Sequence, residues 1–421
     1  MEYSNVPGST VVEAEYATRR PPLPLLTLVV LPESALACIM ALHPPSAIRM
    51  GAALLLLYTA SYAASTYTRG TPANDYGWGS AFYGNMVLNM MFLVTDPLKD
   101  IHYLKDPAPL TARPLFKRMG YALCILRNYR LVGTNAQVAN VPPLFKGTRS
   151  QFLRRRLRQL LVTIVTLDMT ESWVHTHPHL YMPGNDSNSS TEYLHLPSGP
   201  VGYYLARSAC MAVWLVMVYS FLRLLYFSFS LVMVAAHLGD PEDWPDVFGS
   251  WSDAYTVRRL WGRTWHQNLR RHFSYWGKLS TRALGIPRRT WLSSQVQIHV
   301  AFALSALLHC MGDLMVGKEH FGRSWAYFAV NGLAITVEDT VIALARRAGL
   351  AGAQAGRPSR TLRVAGYVWV YVWCTWSARL YQRTMWETHA GVEYILPYSP
   401  VRSLVLPAFR QITSSIVWYL S

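Results

Sequence analysis

The chain has 421 residues, of which 51% are hydrophobic, 13% aromatic and only 15% charged, and its formal net charge is +16. Soluble domains carry about a quarter charged residues, so this balance and several apolar runs of membrane length argue against a soluble domain and for an all-α polytopic integral membrane protein. The basic residues lie mostly in loops beside apolar spans. That pattern points to the positive-inside rule, to anionic lipid and to an anionic cosubstrate, and away from nucleic acid. Cys38, Cys124, Cys210, Cys310 and Cys374 are scattered with no CxxC pair, so neither a disulfide framework nor a metal site is expected.

Residues 1–24 are largely polar, end in Arg19-Arg20-Pro21-Pro22, and carry no sign of a cleavable signal peptide. Leu25–Leu42 is a first span, with Pro32 and Glu33 placed to kink it, and Ala47–Ser65 a second. Ala81–Val94 is short for a span and reads as a tilted or interfacial helix. Residues 98–158 form a long basic loop, which assigns it to the cytoplasm, and Leu160–Val174 then crosses outwards. The following loop, 175–200, carries two glycosylation sequons at Asn185 and Asn188, usable if the loop is lumenal. Val201–Leu238 is one long bent helix, or a span followed by an interfacial helix. Basic sequence returns over 240–291, and the apolar stretch Val296–Val316 follows, then Ser324–Ala345. A Gly- and Arg-rich loop, 346–363, precedes closing spans near Val364–Leu380 and Ser403–Leu420. The expected organisation is about seven to nine membrane helices. Residues 1–97 form the tail and first helices, 98–158 the basic loop, and 159–421 a membrane core centred on about 240–345.

Val296–Val316 carries His309 well inside an apolar run, and an ionisable side chain at that depth marks a functional site by default. The segment before it, from Arg258 to Phe273, is basic and Trp-rich, and Trp261, Trp265 and Trp276 suit a membrane interface. Arg263, Arg270 and Arg271 suit phosphate, which guanidinium binds by forked hydrogen bonds, although a basic juxtamembrane helix on anionic lipid has the same composition. His266 and Gln267 are not needed for lipid contact.

Trp265-His266-Gln267 with Leu269-Arg270-Arg271, followed about 40 residues later by Ser305-Ala306-Leu307-Leu308-His309, resembles the wax-synthase-like branch of the membrane-bound O-acyltransferases. More narrowly it resembles the fungal acetyltransferases that decorate terpenoids and meroterpenoids. Arg130-Leu131-Val132-Gly133-Thr134 resembles that branch's Arg-Gly-Ile-Gly-Thr motif, with Leu131 and Val132 in place of Gly-Ile. Ile335-Thr336-Val337-Glu338-Asp339 resembles its acidic pair.

The resemblance implies transfer of an acetyl group from acetyl-CoA to a hydroxyl of a lipophilic natural product, with no permanently bound cofactor and no metal. His309 is then the general base, because neutral imidazole suits proton abstraction near pH 7. His266 orients the thioester or donates to the developing oxyanion. Arg263, Gln267, Asn268, Arg270 and Arg271 contact the cosubstrate. Glu338 and Asp339 orient His309 or pair with a nearby Arg. Other expected partners are membrane lipid and a lipophilic alcohol, and the expected location is the endoplasmic reticulum. The rival readings are transfer of a longer acyl chain to a fatty alcohol or sterol, and a proton-coupled transporter using the buried His and acidic pair.

Overall fold

The computed structural model describes Tyr16 and residues 19–95, 97–106, 108–177, 200–349, 358–391 and 393–408. Nearly all of the ordered structure is helical. Among these residues extended pairing is limited to isolated bridges, Pro22 with Thr68 and Tyr103 with Asp106 and Thr134. Among the described residues, four helices are long and apolar enough to cross a membrane, Ser46–Thr66, Tyr204–Ala235, Trp291–Val316 and Lys318–Arg347, with a shorter apolar helix at Leu26–Leu42.

In chain order, a π-turn at Leu26–Val30 leads into α1 (Leu31–Leu42). The wide turn lies directly before Pro32, whose missing N–H breaks the regular ladder. The helix α2 is Ser46–Thr66. Next comes α3 (Pro72–Trp78), which runs on through Gly79–Gly84 and Asn85–Asn89 to Met91–Val94. The sequence places this element at Ala81–Val94; it starts earlier because the Thr71 side chain accepts from Asn74 N and Pro72 occupies the first turn. The basic region 98–158 holds α4 (Leu115–Arg127) and the first turns of α5 (Arg149–Thr176), which begins at a capping box between Thr148 and Gln151. Then follow α6 (Pro200–Ala235), α7 (Arg270–Ala283), α8 (Trp291–Val316), α9 (Trp325–Arg347) and α10 (Arg360–Glu387). Residues 178–199, with the sequons at Asn185 and Asn188, lie outside the described residues, as does most of the expected span Ser403–Leu420.

The chain divides into two compact units. The second unit comprises 143–247, 371–383 and 392–421 and is built on α5 packed against α6. Two buried carboxylates on α5 secure its last segment: Asp168 accepts from Val401 N, and Glu171 accepts from Leu396 N and from Arg402.

The first unit comprises 1–142, 248–370 and 384–391 and is organised around α8, which packs against α2, α7, α9 and the run 72–94. The run and α8 touch backbone to backbone. A Cβ added at Gly79 would lie 2.4 Å from Met311 O, and one at Gly312 would lie 2.8 Å from Tyr76 O. Small residues at these points let two membrane-embedded helices approach closely. The same junction is tied by Asp75, wholly buried, which accepts from the Tyr16 hydroxyl (2.6 Å), Arg20 (2.8 Å) and the Thr68 hydroxyl (2.7 Å). Arg20 also donates to Met315 O and Val316 O, capping the C-terminal carbonyls of α8.

Candidate active site

His309 lies five turns into α8 and faces α9 and the run 72–94. Its ring stacks on Phe328 of α9, with centroids 4.7 Å apart and planes 15° apart. Its Nδ1 is 3.2 Å from the Tyr76 hydroxyl. That hydroxyl is 3.1 Å from Ser324 Oγ, which donates to Asp313 Oδ1 at 2.8 Å, while Ser324 N–H donates to Asp313 Oδ2 at 2.9 Å. Tyr76, Asp313, Ser324 and Phe328 are all buried. The side chains therefore form a continuous polar chain inside an apolar region, with each member hydrogen-bonded as burial requires.

The loop before α7 is folded on itself. Thr256 caps its first turn by accepting from Arg259 N, and a π-turn at Leu260–Thr264 turns out Trp261 and Trp265. Trp261 donates to Asn331 Oδ1 of α9 at 3.2 Å and packs edge-on to Phe302 of α8, so the loop rests on the same helices that carry His309. Gln267 Nε2 donates to Trp261 O and Trp265 O, and its Oε1 accepts from Arg270, which also donates to Gly262 O. Gln267 and Arg270 thus hold the loop's shape. Arg271 lies over the Phe92 ring at 4.7 Å with one terminal nitrogen buried and unpartnered, and burial lowers its pKa to about 10. Asn268 is half-buried. Arg263 is exposed and lines a cleft of about 450 Å³ with Arg259, Arg363, Tyr255, Ser252 and Asp253.

His266 packs between Trp265 and Phe248, with ring centroids at 5.7 and 6.0 Å. Its Nδ1 is buried without a hydrogen-bond partner among the described residues. Burial, followed by the positive charge of Arg130, lowers its pKa to about 4, so the ring is neutral at pH 7. A continuous run of ring contacts joins the two expected histidines, from His266 through Trp265, Trp261, Tyr327 and Phe328 to His309.

Glu338 and Asp339 stand elsewhere. Glu338 accepts from Val257 N (2.7 Å), Arg258 N (3.1 Å) and Trp369 Nε1 (3.0 Å). Asp339 pairs with Arg258 and accepts from Gln295. This acidic pair fastens the start of the loop to α9, and the carboxylate linked to His309 is Asp313. The spacing of His309 and Asp313, four residues apart on one helix, is a signal in the sequence; Tyr76 and Ser324 have no such local signal. Arg130 belongs to the motif around 130–134 and is buried, and Leu131 beside it has φ +51°. Leucine thus occupies a left-handed position that favours glycine, the residue usual there in the family it resembles.

Residues 244–330 match the model of the membrane bound O-acyl transferase family. Acetyltransferase ple2 of Rhodocybe pseudopiperita is 28% identical over 349 residues, covering 79% of this chain and 84% of the relative. Acetyltransferase eriL of Hericium erinaceus is 26% identical over 327 residues, covering 76% and 78%. Acetyltransferase sirH of Emericella nidulans is 34% identical over 151 residues, covering 35% and 33%. No solved structure matches the chain. The chain is an acyl-transferring membrane enzyme. The segment of this acyltransferase that matches the family model contains His266, His309, Asp313, Ser324 and Phe328, but neither Tyr76 nor Glu338.

Proposed function

We propose that the enzyme moves an acetyl group from acetyl-CoA to a hydroxyl of a lipophilic terpenoid or meroterpenoid, in the membrane of the endoplasmic reticulum. The observation that carries this reading is the aromatic path that joins His266 to His309 inside the matched segment, through Trp265, Trp261, Tyr327 and Phe328. Relatives named acetyltransferases along three quarters of the chain support the two-carbon acyl group.

In this reading His309 takes the proton of the acceptor hydroxyl as its oxygen attacks the acetyl carbonyl. His266, neutral at pH 7, donates a ring N–H to the oxyanion, in a site where low polarity strengthens that bond. The C–S bond breaks, the thiolate leaves, and the proton held by His309 passes to it, which restores the imidazole. The buried, unpartnered Nδ1 of His266 is consistent with a ring that meets a substrate. Arg263, with Arg259 and Arg363 around the same cleft, would hold the phosphates of coenzyme A. His309 is about 27 Å along α8 from Trp291, so donor and acceptor reach it within the membrane, where water that would hydrolyse the thioester is scarce. Seven to nine spans, with basic loops on the cytoplasmic side and a lumenal 175–200 carrying glycans at Asn185 and Asn188, complete the proposal.

Microsomes containing the enzyme, incubated with radiolabelled acetyl-CoA and a panel of terpenoid alcohols, are expected to yield a labelled ester. Transfer only from long-chain acyl-CoA, or no acyl transfer to any alcohol of the panel, would refute it.

A further inference from the structure

A second set of buried polar atoms lies where α7 meets the run 72–94. His272 is 1% exposed, with Nε2 2.9 Å from Asn89 Oδ1 and with Nδ1 lacking a hydrogen-bond partner among the described residues. Phe92, one turn after Asn89, meets the His272 ring edge-on at 5.9 Å and lies under the Arg271 guanidinium at 4.7 Å. One terminal nitrogen of Arg271 is buried and likewise unpartnered among the described residues. One turn before Asn89, the Asn85 amide nitrogen donates to Ala81 O at 2.6 Å, and its buried Oδ1 is unmet among the described residues. Three groups therefore stand open along one seam: a guanidinium donor, an imidazole nitrogen and a carbonyl oxygen. Two close approaches place that seam along α8. A Cβ on Gly277 would lie 3.1 Å from Gln297 Cα, and one on Gly84 would lie 3.0 Å from Leu308 Cα. Both α7 and the run 72–94 are antiparallel to α8, α7 because a short turn joins it to the start of α8. Counting back from Gly277 and forward from Gly84 puts both His272 and Asn89 level with residues 302–303, about 10 Å along α8 from His309.

The chemistry of the set narrows what it can bind. A phosphate is poorly matched, because the Asn85 oxygen would repel it and the Asp100 carboxylate already acts on Arg271. A single hydroxyl cannot meet groups spread over two helices. A secondary amide offers one carbonyl and one N–H. The pantetheine arm of coenzyme A carries two such amides in series, their nitrogens about 4 and 9 Å of extended chain from the sulfur. We propose that Arg271, His272 and Asn85 form the subsite for the pantetheine amides of the acyl donor, with the arm lying against Phe92 between α7 and the run 72–94. This rests on reading coenzyme A as the carrier of the acyl group. A thioester held at His309 sets its second amide at the level of these groups. Arg271 donates to an amide carbonyl, the Asn85 oxygen accepts from an amide N–H, and His272 Nδ1 meets the arm as donor or acceptor. Buried polar groups are normally met, and the arriving amides meet them. The donor is then held at a part common to every acyl-coenzyme A, so this subsite recognises the carrier and leaves acyl length to other walls.

Displacement of radiolabelled coenzyme A from the full-length enzyme in nanodiscs reads binding without turnover. The two halves of the carrier, pantetheine and adenosine 3′,5′-bisphosphate, serve as separate competitors. Arg271→Met and His272→Phe are expected to weaken competition by pantetheine roughly 5- to 50-fold, the range for one or two lost hydrogen bonds, and competition by the bisphosphate by less than about twofold. Arg263→Gln should show the reverse. Equal weakening of both halves would mean that these side chains only hold the fold, with water at the open groups, and would overturn the proposal. Pantetheine competition at the parental level in both variants would overturn it as well, as would a parent from which pantetheine displaces nothing. Should His272→Phe fail to fold, Arg271→Met and Asn85→Leu decide. A parent that binds coenzyme A but transfers no acetyl group would remove the proposed function, and the same competition would still decide the subsite.

Discussion

The two imidazoles of the site are held in different ways. His309 has its Nδ1 beside the Tyr76 hydroxyl and its face against Phe328, so the ring plane is set by the fold. His266 lies between two aromatic rings with a buried Nδ1 that no group among the described residues meets. The first arrangement suits a base whose reacting nitrogen must always be in place. The second suits a donor that completes its bonding with a substrate, since leaving a buried polar atom unmet costs about 1–3 kcal/mol. The helix surfaces around them differ in the same sense. The His309 side is a glycine-mediated junction of long helices, whereas the His266 side is a loop held together by Gln267 and Arg270.

The sharpest way to break this comparison is to remove each proton site in turn. His309→Asn keeps a hydrogen-bonding side chain but accepts no proton near pH 7. It is expected to lose roughly 10²- to 10⁴-fold in kcat while still binding coenzyme A in a filter assay. His266→Gln, which keeps a donor, should lose less, below the roughly 10²- to 10³-fold that a deleted oxyanion donor costs. The reverse order in steady-state rates would exchange the two roles.

Acid should expose the loop side first. His272 is buried, bonded through Nε2 to Asn89 Oδ1, and burial followed by the charge of Arg271 lowers its pKa to about 4. A depressed histidine pKa means that the neutral form stabilises the fold. That contribution is complete above about pH 6.5 and is lost as pH falls from there towards 4, at about 1.4 kcal/mol per unit. Thermal unfolding of the detergent-solubilised enzyme across this window should show the loss, and His272→Gln should reduce its slope, with His266, whose pKa is lowered to about 4 as well, supplying part of what remains.

Smaller effects come from the backbone. Gly312→Ala places a methyl group 2.8 Å from Tyr76 O and should cost roughly 1–3 kcal/mol. It should also lower kcat by moving Tyr76 from His309, with KM for acetyl-CoA unchanged. Leu131→Gly relieves about 1 kcal/mol of left-handed strain but exposes the space of a fully buried leucine, worth about 2–3 kcal/mol. The net expectation is a loss of about 1–2 kcal/mol in a melting experiment, so burial outweighs strain at this position.

How far the sequence foretells these features depends on how local their causes are. Hydropathy places Ser46–Thr66 and Trp291–Val316 within a few residues, because length and composition alone define a span. His309 stands out for the same reason, as an ionisable group in an apolar run. The run from Pro72 is harder to read, since Gly79 and Gly84 look like helix breakers until α8 lies against them. Tyr76 is 233 positions from His309, and no periodicity links residues so far apart. Gln267 and Arg270 have the chemistry of ligand-binding residues, but a wide turn with exposed carbonyls takes up their donors. Asp313, four residues from His309 on one helix, does not stand out in an apolar run read for its histidine, whereas Glu338 and Asp339 attract notice as a pair and serve the loop.

Asp75 gives the start of the chain a role that its polar composition does not suggest. Tyr16 and Arg20 reach its carboxylate, and Arg20 also closes the end of the helix that bears His309. A minimal catalyst obtained by trimming polar residues ahead of the first apolar helix would therefore leave a buried anion without its cation, one residue from the phenol at the base. Truncation after residue 20 should yield a protein that inserts into membranes and turns over poorly, and heterologous expression should keep this leading segment intact.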